Sequence, residues 1–122
     1  MNLEDASRLL LTLEGVRVER HTTKTQDFLR WLVGDVVIAW ERPLSKKDAI
    51  ATGVTSQVLA VHVADLGEKT AWLNEAPDTC FDSPHFAGYP AVLVNLDSAD
   101  AQVLLEIAEA AAERACSKTT KN

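Results

Sequence analysis

The sequence predicts an α+β fold: a two-layer sandwich in which a mostly antiparallel β-sheet is covered by helices on one face. Three observations lead there. Apolar residues recur with helical spacing at the two ends of the chain and with a period of two in between. A Gly-Asp pair, Gly34-Asp35, separates two β-rich runs, as in a hairpin. The helical segments gather at the start and end instead of alternating with every strand, which favours an antiparallel sheet over a parallel one.

The first element is a helix from Asn2 to Leu13. Asn2 is its N-cap, Glu4 and Asp5 stand in the first turn where the dipole favours acids, and Gly15 stops it. Leu3, Ala6, Leu10 and Leu13 recur near helical spacing. "VRVERH" then sets Val16 and Val18 against Arg17 and Glu19, the alternation of a half-buried strand. "FLRWLVGDVVIAWERP" reads as two strands around Gly34-Asp35, with Trp31 and Trp40 on opposite arms. Ser45 caps a short helix in "SKKDA", with Asp48 at the capping-box position, and "GVTSQ" around Gly53 is a loop. Val58 to Leu66 is an apolar strand containing His62, and "GEKTAWLNEAP" is a helix ended by Pro77. Tyr89 to Leu96 is the last strand. Ser98 or Asp97 caps a final helix from Ala99 to Ala115, whose apolar face is Leu104, Ile107, Ala108, Ala111 and Ala115. The reading is one domain over residues 1–116, followed by a disordered tail, "SKTTKN", at 117–122.

Composition narrows the function classes. At 122 residues and 47% hydrophobic, the chain can bury a core without disulfides or metals. Its net charge of −6 disfavours a broad nucleic-acid surface. The charge is uneven. Glu14 to Asp48 nets +1, from seven basic and six acidic residues; Ala49 to Arg114 nets −8, from two basic and ten acidic. A polyanion would therefore meet the N-terminal half. Two distant cysteines, Cys80 and Cys116, and an N-terminus with acids where a signal peptide carries basic residues point to a reduced, cytoplasmic setting. No apolar run is long enough to span a membrane as a helix. No nucleotide-binding, zinc-protease or nucleophile-elbow motif is present, and nothing calls for a cofactor or specifies an oligomeric state. The expectation is a non-enzymatic protein by default.

One stretch concentrates chemistry: "CFDSPHFAGYP", Cys80 to Pro90. Cys80, Asp82 and His85 could fold onto a metal ion, but no second Cys/His pair supplies further ligands. Cys80 could act as a nucleophile with His85 beside it, but Asp82 opposes the thiolate. A rigid corner accounts for more of the residues. Pro84 and Pro90 fix φ, Gly88 permits a positive φ, Asp82 can bond nearby backbone N–H groups, and Phe81, Phe86 and Tyr89 can pin the loop to the core.

"FDSPHFAGYPAVLVNLD" resembles the C-terminal motif of the MmcQ/YjbR-like family: an aromatic, Pro-His, an aromatic, Gly-Tyr-Pro and a Val/Leu-rich strand. "LEGV" at Leu13–Val16, "AWERPLSKKD" at Ala39–Asp48 and "LAVHVADLGEKTAWL" at Leu59–Leu73 agree with it, in the right order. The resemblance implies a CyaY-like sandwich and a DNA-binding role through a double-wing surface, and brings no catalytic residues. This chain departs from the family at the first hairpin, where Gly34-Asp35 stands in place of Gly-Lys or Gly-Arg. An acid at a wing tip repels phosphate.

Two binding hypotheses follow. In the first, Arg30, Arg42, Lys46 and Lys47 contact DNA phosphates and Trp40 stacks on a base; against it, Trp40 can be core and the lysines merely solvated. In the second, a groove beside the Cys80–Pro90 corner, rimmed by Trp40, Arg42, His85 and Tyr89, takes a small anionic or planar molecule or a protein. "WERP" places Trp40 and Arg42 on one strand face; against this, Arg42 can be spent on a neighbouring acid such as Glu41. His62, on an apolar strand, reads as a satisfied core histidine.

Overall fold

The computed structural model describes residues 1–55 and 57–119. Its centre is a six-stranded sheet in the order β1-β2-β3-β4-β6-β5, with every pairing antiparallel. The strands are β1 (Val16–Thr22), β2 (Asp27–Val33), β3 (Val36–Glu41), β4 (Val58–His62), β5 (Cys80–Phe81) and β6 (Ala91–Asn95). Four helices, α1 (Leu3–Leu10), α2 (Lys46–Thr52), α3 (Leu66–Glu75) and α4 (Ala101–Thr119), and a 3₁₀ turn (Pro84–Phe86) complete it. The helices pack on the sheet, as the sequence predicts. Among the described residues no helix is long and apolar enough to cross a membrane.

Local chemistry explains most boundaries. Asn2 caps α1: its Oδ1 accepts from the Asp5 N–H at 2.7 Å, and the Asp5 carboxylate returns a bond to the Asn2 N–H. The helix stops at Leu10 instead of Leu13, because single turns take over, with the Thr12 hydroxyl donating to the Leu9 carbonyl at 2.6 Å. They run into Gly15 at φ +81°. The β2–β3 hairpin turns where expected, with Gly34 at φ +59°. Ser45 caps α2 through the Asp48 N–H at 3.1 Å, and Gly53 ends it in the left-handed conformation. Asp48 does not complete a capping box. Its side chain is buried, and its Oδ2 has no hydrogen-bond partner among the described residues. In the predicted "GVTSQ" loop, Ser56 lies outside the described residues.

Further boundaries differ from the sequence reading. β4 ends at His62, not Leu66, because Asp65 caps α3 by accepting from the Glu68 N–H at 2.8 Å. α4 starts two residues late, because neither Asp97 nor Ser98 caps it. Asp100 accepts from the Gln102 N–H at 2.8 Å, and the Ser98 hydroxyl is spent on the Asp78 carbonyl. The same helix runs on through Ser117, Lys118 and Thr119, so the predicted disorder of the tail does not hold there; residues 120–122 lie outside the described residues.

The main core lies between the sheet and the helices α1 and α4. Leu104, Ile107, Ala108, Ala111 and Ala115 are all buried there, so the predicted apolar face of α4 is the face it uses. Each of the larger side chains contributes about 1.5–3 kcal/mol. Trp31 is fully buried in this layer, and its Nε1–H donates to Ser7 Oγ at 3.1 Å, which ties α1 to β2. A register shift between β2 and β3 sends the consecutive residues Ile38 and Ala39 both into this core. A second, smaller cluster occupies the opposite face, where Phe86 covers Val58, Ala60, Ala91 and Leu93 of β4 and β6. The corresponding face of β1–β3 stays open, and the candidate site lies along its boundary with that cluster.

Candidate functional site

The Cys80–Pro90 stretch is a corner between β5 and β6, held from beneath by a buried lysine. Lys69 on α3 is 3% exposed. Its ammonium donates to the carbonyls of Phe86 (2.7 Å) and Tyr89 (2.9 Å) and pairs with Asp82 at 3.0 Å. Asp82 also accepts from the Ser83 N–H at 2.9 Å, and Ser83 begins the 3₁₀ turn by accepting from the Phe86 N–H. Gly88 supplies the positive φ, at +79°. The rigidity expected from Pro84 and Pro90 is therefore reinforced by a cation from a different element. Without that cation, each carbonyl would keep only its local backbone bond, from the Tyr89 N–H to Phe86 and from the Ala91 N–H to Tyr89.

This corner does not bring Cys80, Asp82 and His85 together. Cys80 is 2% exposed within the helix-side core, Asp82 is committed to Lys69, and His85 is exposed. Burial pushes the Cys80 thiol up to about 12, opposite to what a nucleophile needs. Among the described residues, no three His, Cys, Asp or Glu side chains are grouped to hold a metal ion.

What the corner does position is Phe86, and around Phe86 the open face becomes aromatic. Phe86 lies 6.3 Å from Trp40 and 5.9 Å from Tyr89, centroid to centroid, and the Arg42 guanidinium sits 5.3 Å from its ring centre. His85 meets Phe86 edge-on at 5.4 Å. Trp40 also packs against His62 at 4.8 Å. Burial holds the His62 imidazole below its ordinary value, against an upward pull from the Pro90 carbonyl.

A groove of about 530 Å³ opens here, floored by Phe28, Trp40 and Phe86 and walled by Arg42 and His85. Thr25 and Gln26 at the β1–β2 turn form the far side. Strand period and pairing register explain the convergence. Arg30 pairs with Trp40, and His21 with Phe28, so these side chains share the open face.

The electrostatics divide the basic residues predicted for binding into two sets. Arg30 is half-buried and engaged by Glu19 on β1, with Nε–Oε1 at 2.6 Å; Arg17 meets the same carboxylate at 2.9 Å. Hydrogen bonds from Arg17 and Arg30 hold the Glu19 carboxyl below the usual range. Arg20 is likewise paired with Asp27 at 3.1 Å. By contrast, Arg42, Lys46 and Lys47 make no ion pair among the described residues. Glu41, the neighbour expected to compete for Arg42, instead accepts from the Leu29 N–H at 3.1 Å.

Of the predicted ligand set, Trp40, Arg42 and His85 line one groove. Tyr89 is displaced to its back, against His62 at 5.9 Å and Phe86. Of the predicted phosphate-contacting set, Lys46 and Lys47 are exposed at the start of α2, outside the groove, while Arg30 is engaged by Glu19. The sequence reading missed Phe28 and Phe86 as groove walls and placed His62 in the core. His62 is half-buried on the open face behind Trp40. The period-two rule applied jointly to "HTTKTQDF" and "WERP" could have signalled Phe28. Nothing local signals Phe86.

No family model matches the chain. It is similar to the uncharacterized protein Rv2570 of Mycobacterium tuberculosis (strain ATCC 25618 / H37Rv) and to the uncharacterized protein Mb2600 of Mycobacterium bovis (strain ATCC BAA-935 / AF2122/97). Each is 40% identical over 83 residues, which cover 63% of this chain and 64% of the relative. The chain thus spans a little under two thirds of the length of the curated relatives it matches.

Proposed function

We propose that this chain is a non-enzymatic binding domain whose seat for a small anionic ligand is the groove beside the Cys80–Pro90 corner. One observation carries the proposal. Arg42 is a cation with no acid partner among the described residues, stacked on Phe86 inside a concave, aromatic-lined space. Clefts of roughly 300–1,000 Å³ with a few placed polar groups are the usual form of small-molecule sites. A partly desolvated guanidinium presents planar, paired donors to a carboxylate or phosphate. The corner that holds Phe86 is locked by Lys69, so the seat is formed before the ligand arrives, which lowers the ordering cost of binding.

Membership of the MmcQ/YjbR-like family with its CyaY-like sandwich, and a cytoplasmic setting, belong to the same proposal. The first is supported by the quoted motifs together with the antiparallel sheet, the second by the cysteine usage. DNA binding through a double-wing surface is the second reading, favoured by the exposure of Lys46 and Lys47 close in sequence to Arg42. It is weakened by the capture of Arg30 by Glu19 and by Asp35 at the β2–β3 hairpin tip.

Amide NMR titrations separate the two. Phosphate or acetate at millimolar concentration is expected to shift the amides of Trp40–Arg42 and His85–Phe86, and Arg42→Gln to remove those shifts. Salt-sensitive shifts that appear only with a DNA duplex, centred on Lys46 and Lys47, would reverse the ranking. Silence with both would dismiss the groove and the DNA surface together.

A further inference from the structure

We infer that the ligand of this groove is a planar aromatic ring bearing a single anionic group; the inference rests on the proposed seat and names what fills it. The shape of the groove comes first. At about 530 Å³ it is far larger than a lone carboxylate or phosphate needs, and its floor and one wall are ring surfaces: Phe28, Trp40, Phe86 and His85. Offset or edge-to-face packing on such rings favours a flat π-system over an aliphatic body.

The charges set the number of anionic groups. Arg42 is the one cation lining the groove among the described residues. The two lining acids are bonded to groups other than Arg42 and keep their charge. Asp27 accepts from Arg20 and Thr22, each at 3.1 Å, and these bonds hold its carboxyl below the usual range. Glu41 accepts from the Leu29 N–H at 3.1 Å. A first anionic group therefore meets an uncompensated guanidinium. A second would meet Glu41, whose charge is paired with no cation among the described residues. That disfavours polyanions and diphosphates on the floor of the groove.

The polar end gives the orientation. Thr25 and Gln26, at the turn between β1 and β2, supply a hydroxyl and an amide able to donate and accept at one edge of a heteroaromatic ring. Arg42 and His85 lie together toward the corner, since both contact Phe86. The anionic group would sit at the corner, the ring over Trp40, and the ring edge against the hairpin turn. The chemistry is shared by aromatic carboxylates and by nucleoside monophosphates.

The test compares four probes on the full chain by NMR and isothermal calorimetry: inorganic phosphate, adenosine, adenosine 5′-monophosphate and indole-3-acetate. At least one ring-bearing anion is expected to bind about tenfold or more tighter than both phosphate and adenosine. The Trp40 indole and the amides of Thr25–Phe28 should shift together. Whether the monophosphate or the carboxylate is preferred identifies the source of the anion. Arg42→Gln should lower the affinity for adenosine 5′-monophosphate to that of adenosine, and Trp40→Leu should weaken all three ring-bearing probes, with dispersed spectra showing that each variant is folded. If phosphate binds as tightly as either ring anion, the inference fails while the anion seat stands. If no probe shifts the groove amides of the unaltered chain, both fall.

Discussion

Lys69 offers the sharpest quantitative test of how the groove is built. Replacing it with Met keeps most of the stem volume and deletes the ammonium. Two carbonyl bonds are then lost, to Phe86 at 2.7 Å and to Tyr89 at 2.9 Å, together with the Asp82 pair at 3.0 Å. Hydrogen bonds to a charged group are worth about 1.5–3 kcal/mol each when one partner is removed. Asp82 is one third exposed and can rehydrate, so its share is small. The methionine no longer carries the cost of burying a charge, which offsets part of the loss. Taking the lower figure for each carbonyl gives a net destabilisation of about 3 kcal/mol. For a domain of this size that is a fall in Tm of roughly 10 °C.

The assay is urea unfolding of Lys69→Met beside Asp82→Asn, with hydrogen exchange at the corner amides. Asp82→Asn should leave the corner amides protected, because the ammonium keeps both carbonyl bonds, and its cost in stability is that of a buried ammonium deprived of its counter-ion. In Lys69→Met, exchange should accelerate first from Ser83 to Tyr89, where the lock is lost, as a local opening below the global one. A loss under about 1 kcal/mol in Lys69→Met, with corner protection unchanged, would refute the claim that this cation holds the corner.

Other predictions concern titration and access. Burial lowers His62 from its ordinary value of 6.5, with Arg114 and Lys118 acting in the same direction. Between the lowered folded value and the unfolded one, the unfolded chain binds more protons. Stability should therefore be full above about pH 6.5 and decline as pH falls through the folded value. Urea midpoints measured across that interval should show the slope, and His62→Gln should flatten it; an unchanged slope would assign it to other groups. Cys80 is buried with its thiol pushed up to about 12, whereas Cys116 is exposed. A thiol reagent should thus modify Cys116 alone in the native protein and both cysteines in denaturant, and rapid native labelling of Cys80 would contradict its place in the core.

The sequence alone determined what depends on near neighbours. Capping by Asn2 and Ser45, the turn at Gly34 and the apolar stripe of α4 follow from propensity and period, which act over a few residues; the alternation expected of β1 does not hold, since Val18 is exposed and Glu19 partly buried. The fold class follows from their order. The missed elements were those with little local signal. β5 is two residues long and exists because it pairs with β6, and α4 begins where Asp100, not Ser98, is available to cap it. The site was legible only in part. The shared face of Trp40 and Arg42 is a period-two statement, and His85 was marked by its corner.

Only the tertiary structure decided which charges are spent. Arg30 is neutralised because the β1–β2 register sets it opposite Glu19, while Arg42 stays available because Glu41 turns to the Leu29 N–H. Lys69, unremarkable in sequence, becomes the buried lock of a corner that lies beyond the end of its own helix. Strand order and register bring together Phe28, Trp40 and Phe86, three residues of unrelated local context. Periodicity says which face a side chain takes, but not which partner waits there. That partner depends on pairings closed over long loops, and these are fixed by the global packing of the core.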